Sequence, residues 1–220
     1  MSFENAYQKT LLKIEKNGTN DNSSIDRGRW VVLFNEAQNN FIELSLQNRG
    51  VDDVRYIEKF LTVDFKIPYT SKTKDYHNFK LPDNYLDSAD IRAEASKGVC
   101  KRQTIYLTET VAENLNQKLQ DEYYKPSFDW RESIFIINSG NVSVYTLGDF
   151  SVENILLSYY RYPNKASLKN ENNPESEFDE TIELEWDDKS LDRILSMVAM
   201  SFDMNQSDQR FQIQNLRTQK

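Results

Sequence analysis

Trp30, Leu33, Phe34, Ala37, Phe41 and Leu44 recur at intervals of three and four residues, so the spacing predicts an amphipathic helix over this stretch. Phe3, Tyr7, Leu11 and Ile14 predict a shorter helix before it. Between the two, Asn17 to Ser24 is polar and turn-prone and predicts a loop or hinge. Ser24 or Asp26 can cap the longer helix. Near the other end of the chain, Leu191, Ile194, Leu195, Val198, Ala199 and Phe202 fall on one helical face, entered from Asp187 or Asp188. Each of these helices has one apolar face. Leu195 and Val198 are therefore expected to be buried against the Trp30 to Leu44 helix.

Between the helical regions the pattern changes period. Val54, Ile57, Phe60 and Leu61 predict a short helix leading into a strand from Leu61 to Ile67. Residues 69 to 132 read as mixed β structure and loops, with alternation around Ile91, Ala93 and Ala95 and around Ile105 and Leu107. Val111, Leu115 and Leu119 can share one face of a short helix. From Ser133 to Pro163 three apolar runs are split by Ser139-Gly140-Asn141 and Gly148-Asp149, which predicts an antiparallel meander. Ile182, Leu184 and Trp186 alternate with acids and predict a last strand. The pattern amounts to an α+β chain in the order helices, β, helix. The expected divisions are a helical region over 1–60, a β-rich domain over 61–186 with an acidic loop at about 164–180, and a C-terminal helix and polar tail over 187–220.

Composition adds a polar surface. The chain has 220 residues, 38% of them apolar and 12% aromatic, with a mean hydropathy of −0.74. That suits a modest core with much surface left for partners. The formal charge is −8, which disfavours nonspecific binding to nucleic acid. Asn164 to Asp192 holds ten acidic and three basic residues, net −7, so the remainder sums to about −1. Its Asn-, Glu- and Ser-rich part, Asn164 to Asp179, reads as an exposed loop of low order. Met1 to Ser23 and Asn205 to Lys220 are polar enough that neighbouring proteins are expected to order them.

Candidate chemistry is sparse. Cys100 is the single cysteine, so no intrachain disulfide can form, in keeping with a reducing compartment. His77 is the single histidine and reads as a surface residue in a polar run. His/Cys metal clusters, a phosphate-binding glycine loop and a GxSxG nucleophile turn do not occur in the sequence. Asp87 with Asp90, or Glu183 with Glu185, could pair as acid and base only if the fold brought them together in a pocket. The surroundings of Asp187 and Asp188 lack calcium-loop spacing. Tyr159-Tyr160-Arg161-Tyr162 reads as core and rim of a strand rather than a base-stacking platform. The start of the chain lacks a signal-peptide core, and no apolar run approaches the roughly 20 residues that span a bilayer. A cytosolic product is the expectation.

Three motifs, taken in order, carry a resemblance. They are Leu81-Pro82-Asp83-Asn84-Tyr85, Leu157-Ser158-Tyr159-Tyr160-Arg161-Tyr162-Pro163, and the acidic run from Leu184 through Trp186 to Ile194. Over about residues 25 to 204 the chain resembles the head–tail connector (adaptor or ring) proteins of tailed bacteriophages, including those of crAss-like phages of Bacteroidetes, and the resemblance implies terminal helices forming a bundle with an inserted antiparallel β domain. The resemblance implies a virion structural protein without catalytic activity or cofactor, assembled in the bacterial host cytoplasm. It implies a ring of about twelve copies below the portal, contacting portal and tail proteins, through which DNA passes without sequence-specific contact. Within that picture Glu171, Glu175, Glu177 and Glu180 are candidate partner-docking residues, and edging the DNA channel is the competing role. An alternative reading is a tail or baseplate β module that binds a host surface polymer. A hydrolase using surface carboxylates is a third.

Overall fold

Helix α1 (Phe3–Asn17) and helix α2 (Arg27–Asn48) form where the apolar spacing placed them. Asp26 caps α2, its Oδ1 accepting from the Arg29 N–H at 2.8 Å. The computed structural model describes residues 1–17, 25–48, 50, 54–99 and 102–218. The expected Asn17 to Ser24 loop falls largely outside the described residues, as do Ser24 itself and Cys100. The chain divides into two compact units, Met1–Glu58 with Pro163–Lys220, and Lys59–Tyr162. It is a mixed α and β chain, with four α-helices and an eight-stranded sheet among the described residues.

The first unit combines α1 and α2 with helix α4 (Asp188–Thr218), which packs on both. Asp187 caps α4, its Oδ1 accepting from the Ser190 N–H at 2.6 Å. Leu195 and Val198 are fully buried, as are Leu191, Ile194 and Phe202. Leu44 is half exposed, and Ile42 takes a buried place on α2 instead. Aromatic rings fill the centre. Trp30 stacks on Phe34 with centroids 4.7 Å apart, and Phe178 meets Trp30 edge-on at 5.2 Å. The polar atoms of this core are matched: Trp30 Nε1 donates to Thr10 Oγ1 at 2.9 Å, and the Tyr7 hydroxyl donates to the Ile25 carbonyl at 2.7 Å. The start of the chain thus depends on its own fold. Phe3, Ala6, Tyr7 and Ile14 are buried within this unit, which corrects the expectation of ordering mainly by neighbours for the described part of Met1 to Ser23; residues 18–23 lie outside the described residues.

The segment from Pro163 to Asp187 belongs to this helical unit, not to the sheet. It is not a loop of low order. Phe178, Ala166, Leu168 and Trp186 are buried, and an isolated bridge joins Leu168 to Phe178. Pro174 lies on Gly28 of α2, its carbonyl accepting from the Gly28 N–H at 2.8 Å. The expected strand at Ile182, Leu184 and Trp186 does not form. Trp186 instead packs edge-on against Phe41 of α2 at 5.6 Å and donates Nε1–H to Gln38 Oε1 at 3.0 Å. A two-residue apolar period needs only an extended chain on an apolar surface; a ladder partner is a separate requirement.

Val54 and Arg55 are helical, which bears out the expected short helix in its described part, and a 3-10 turn (Glu58–Phe60) leads into β1 (Leu61–Pro68) of the second unit. The other strands are β2 (Ser71–Lys72), β3 (Tyr76–Lys80), β4 (Tyr85–Ser96), β5 (Gln103–Glu109), β6 (Glu132–Asn138), β7 (Asn141–Tyr145) and β8 (Ser151–Arg161). Their order in the sheet is β1-β8-β4-β5-β6-β7-β3-β2. Two expectations are corrected here. The sheet is not wholly antiparallel, because β5 and β6 run parallel. A parallel pair needs a crossover, and helix α3 (Ala112–Gln120) lies in that connection. The Ser133 to Pro163 region is not a three-strand meander either. The β6–β7 hairpin forms, turned by Ser139 (φ 47°) and Gly140 (φ 75°), but β8 leaves it to pair with β1 and β4. Tyr159 and Tyr160 of β8 are buried and Tyr162 lies at the rim.

The sheet curls until strands far apart in its order meet. His77 of β3 reaches Val152 of β8, with Nδ1 2.8 Å from its carbonyl oxygen and 3.1 Å from its amide nitrogen. Lys72 Nζ donates to Ser151 Oγ at 2.7 Å beside it. His77 is fully buried, which corrects its reading as a surface residue. Inside the curl, Ala93 and Ala95 leave room for Phe79, Phe128, Phe135 and Phe150.

Candidate functional site

A concavity of the helical unit is built where the start of α1 meets the segment after Phe178. Phe3 and Phe178, both buried, fix its base through a ring contact at 6.3 Å. Ile182 and Leu184, half-buried, continue the apolar side. The volume is about 600 Å3. Glu4, Glu177, Asp179, Glu180 and Glu183 line it, with Arg27 as the single basic side chain of the lining.

Local bonding holds three of these acids in the charged form. Arg27 bonds Glu4 at 3.2 Å and Gln8 donates to it at 3.0 Å, which together hold the Glu4 carboxyl below its usual pKa. Lys169 Nζ lies 2.8 Å from Glu177 and lowers the pKa of that carboxyl in the same way. The hydroxyl and N–H of Thr181 donate to Asp179 at 2.7 and 2.9 Å, again lowering its pKa. Near neutral pH the groove is an anionic channel over an apolar base.

Of the four docking candidates, Glu177 and Glu180 lie together on this groove. Glu175 and Glu171 are outside its lining. Glu175 faces Arg27 at 3.9 Å, and Glu171 sits exposed in the preceding turn. Glu4, Arg27 and Asp179 were not among the candidates, and Glu183 was one only as a possible acid/base partner of Glu185. A usable signal was Phe178, a lone aromatic inside an acidic run, which is where the segment had to touch a core.

Catalytic geometry does not gather at the other acids. Asp90 is paired with Arg92 at 2.7 Å on the exposed part of β4, and Asp87 lies on the same strand. Glu185 accepts from the Asn164 N–H at 2.8 Å, whereas Glu183 lines the groove. Among the described residues no three His, Cys, Asp or Glu side chains are placed to hold a metal ion. No described helix is long and apolar enough to cross a membrane.

In the sheet unit, Tyr123, Tyr124 and Trp130 are exposed beside α3, none of whose residues is buried. Tyr123 and Trp130 flank a smaller hollow of about 280 Å3 with Glu122, Lys125 and Glu132. Comparison of the chain with protein-family models and with curated proteins gives no match.

Proposed function

We propose that this protein is a virion structural subunit of a tailed-bacteriophage head–tail connector, acting by self-assembly without a catalytic step. The observation that carries the reading is the discontinuous helical unit. Residues from both ends of the chain build it, and one continuous segment between them builds the sheet unit. That is the order the motif resemblance implies. In this reading α1, α2 and α4 are the terminal-helix bundle and the sheet unit is the inserted domain. The subunits form a closed ring of about twelve copies through heterologous contacts, below the portal and above tail proteins. DNA passes through without base contacts, and a net charge of −8 suits a conduit that must not grip phosphate. Native mass spectrometry and electron microscopy of the purified chain, alone and with its portal, test this. A closed ring is expected, and a monomer in both conditions overturns it.

The exposed aromatic hollow favours a second reading, a tail or baseplate module that binds a host surface polymer. Uncovered Tyr123 and Trp130 rings offer flat faces of the kind that sugar rings stack against. Trp130→Ala would abolish retention on host cell-wall polysaccharide if this reading holds, and would leave ring assembly alone if the first does.

A further inference from the structure

Helix α4 runs on past the start of α2. Lys13 of α1 pairs with Asp192 at 2.8 Å and with Ser196 at 3.1 Å, one turn apart on α4. Arg29, near the start of α2, lies 5.0 Å over the Phe202 ring, and Phe41, further along α2, packs on Trp186 just before α4, so α2 runs antiparallel to α4. At 1.5 Å per residue, α2 therefore begins opposite about residue 204 of α4. Beyond that point α4 continues as helix to Thr218, about 20 Å further. The acidic groove lies at this same end, since Phe3, Glu4 and Arg27 line it.

Sequence and groove are complementary. Asn205 to Lys220 carries Arg210, Arg217 and Lys220 against the single acid Asp208, with Phe211, Ile213 and Leu216 as its apolar residues. The groove offers carboxylates at Glu177, Asp179, Glu180 and Glu183 over Phe178 and Ile182. A continuous helix cannot fold back to bring its own end into a groove beside residue 204. We infer that the basic C-terminal end of α4 docks in the acidic groove of a second copy of this chain, giving a head-to-tail contact. A contact between two different patches repeats from copy to copy, as ring closure requires. The inference deepens the ring reading and rests on it for the identity of the partner.

Charge reversal on the full-length chain tests the contact. Glu180→Lys with Glu183→Lys changes only exposed groove residues, and circular dichroism checks that the fold is kept. Arg210→Glu with Arg217→Glu changes only the tail. In sedimentation at low salt, each pair of changes alone should weaken self-association about tenfold or more. All four changes in one chain should restore it, and a peptide of residues 204–220 should compete with the wild-type contact. Association unmoved by the groove changes, or no restoration in the fourfold variant, overturns the inference, as does a wild-type monomer. The two readings fail separately. A ring that ignores Glu180→Lys and Glu183→Lys sinks the docking alone, whereas open chains or dimers that obey the charge exchange sink the ring alone.

Discussion

His77 closes the seam of the curled sheet, and its chemistry gives the seam a pH dependence. Burial pushes its pKa below the ordinary 6.5; nearby Lys72 acts in the same direction and the Val152 bond opposes. Its Nε2 is buried without a partner, so a second N–H there would have nothing to donate to. The unfolded chain takes up the proton first as pH falls. The stability contributed by neutral His77 is therefore complete above 6.5 and declines as pH drops towards the lower folded value. With one histidine in the chain, the window from about pH 7.5 to 5.5 isolates it from the carboxylates. Urea midpoints across that window should fall for the wild type and stay nearly flat for His77→Phe; parallel slopes would refute this role. Phe178 is the second residue on which much rests. It touches Phe3, Tyr7 and Trp30. Phe178→Ala should cost about 3–5 kcal/mol in equilibrium unfolding. A loss below about 1 kcal/mol would mean the acidic segment does not depend on this ring.

At the scale of elements, Gly28 gives a prediction opposite in sign to helix propensity. Alanine within a helix normally gains about 1 kcal/mol over glycine. Here a Cβ would stand 3.0 Å from both Cα and Cβ of Pro174, backbone and ring atoms that cannot swing aside. Gly28→Ala should therefore destabilise by about 1–3 kcal/mol, seen as a lower urea midpoint, and a gain would show that the Pro174 turn yields. The same contact explains what was legible. The helices could be read because one apolar face in 3.6 is a local signal, and the Ser139-Gly140 hairpin because its turn needs φ > 0. The acidic segment misled because its charges are local and its anchors, Phe178 and Trp186, meet α1 and α2 more than a hundred residues away. His77 was legible in part: it alternates with Phe79 on β3, so the two share a face. The β5–β6 pairing was not legible, since a parallel partner is chosen by the crossover and not by either strand's own pattern. The groove has the same origin. Its acids come from two distant segments, and only the later one carried a charge run to notice.

For the whole molecule, the question is what the acidic segment does in an assembly. Glu171, Glu175, Glu177 and Glu180 changed together to Gln remove four charges. Two of these carboxylates also lose ion pairs, with Arg27 and Lys169, that are exposed and screened by water, so the fold should survive. If the segment docks on a basic surface, particles should assemble poorly, with a defect that varies with salt. Normal assembly with impaired DNA packaging or ejection would instead place the charge along the conduit. No effect on either would leave these side chains as solvated surface.

The division of the helical unit between the two ends of the chain also sets a schedule for synthesis. Met1–Glu58 leaves the ribosome first, but the helix that packs on both α1 and α2 is made last. At roughly 5–20 residues per second, the wait is on the order of 10 s. During that time the sheet unit, a continuous segment, can fold while the N-terminal apolar faces stay uncovered. A stalled nascent chain ending just before Asp188 should be cut by protease within α2, and one with α4 fully emerged should resist. Equal resistance at both lengths would show that something else shelters those faces meanwhile.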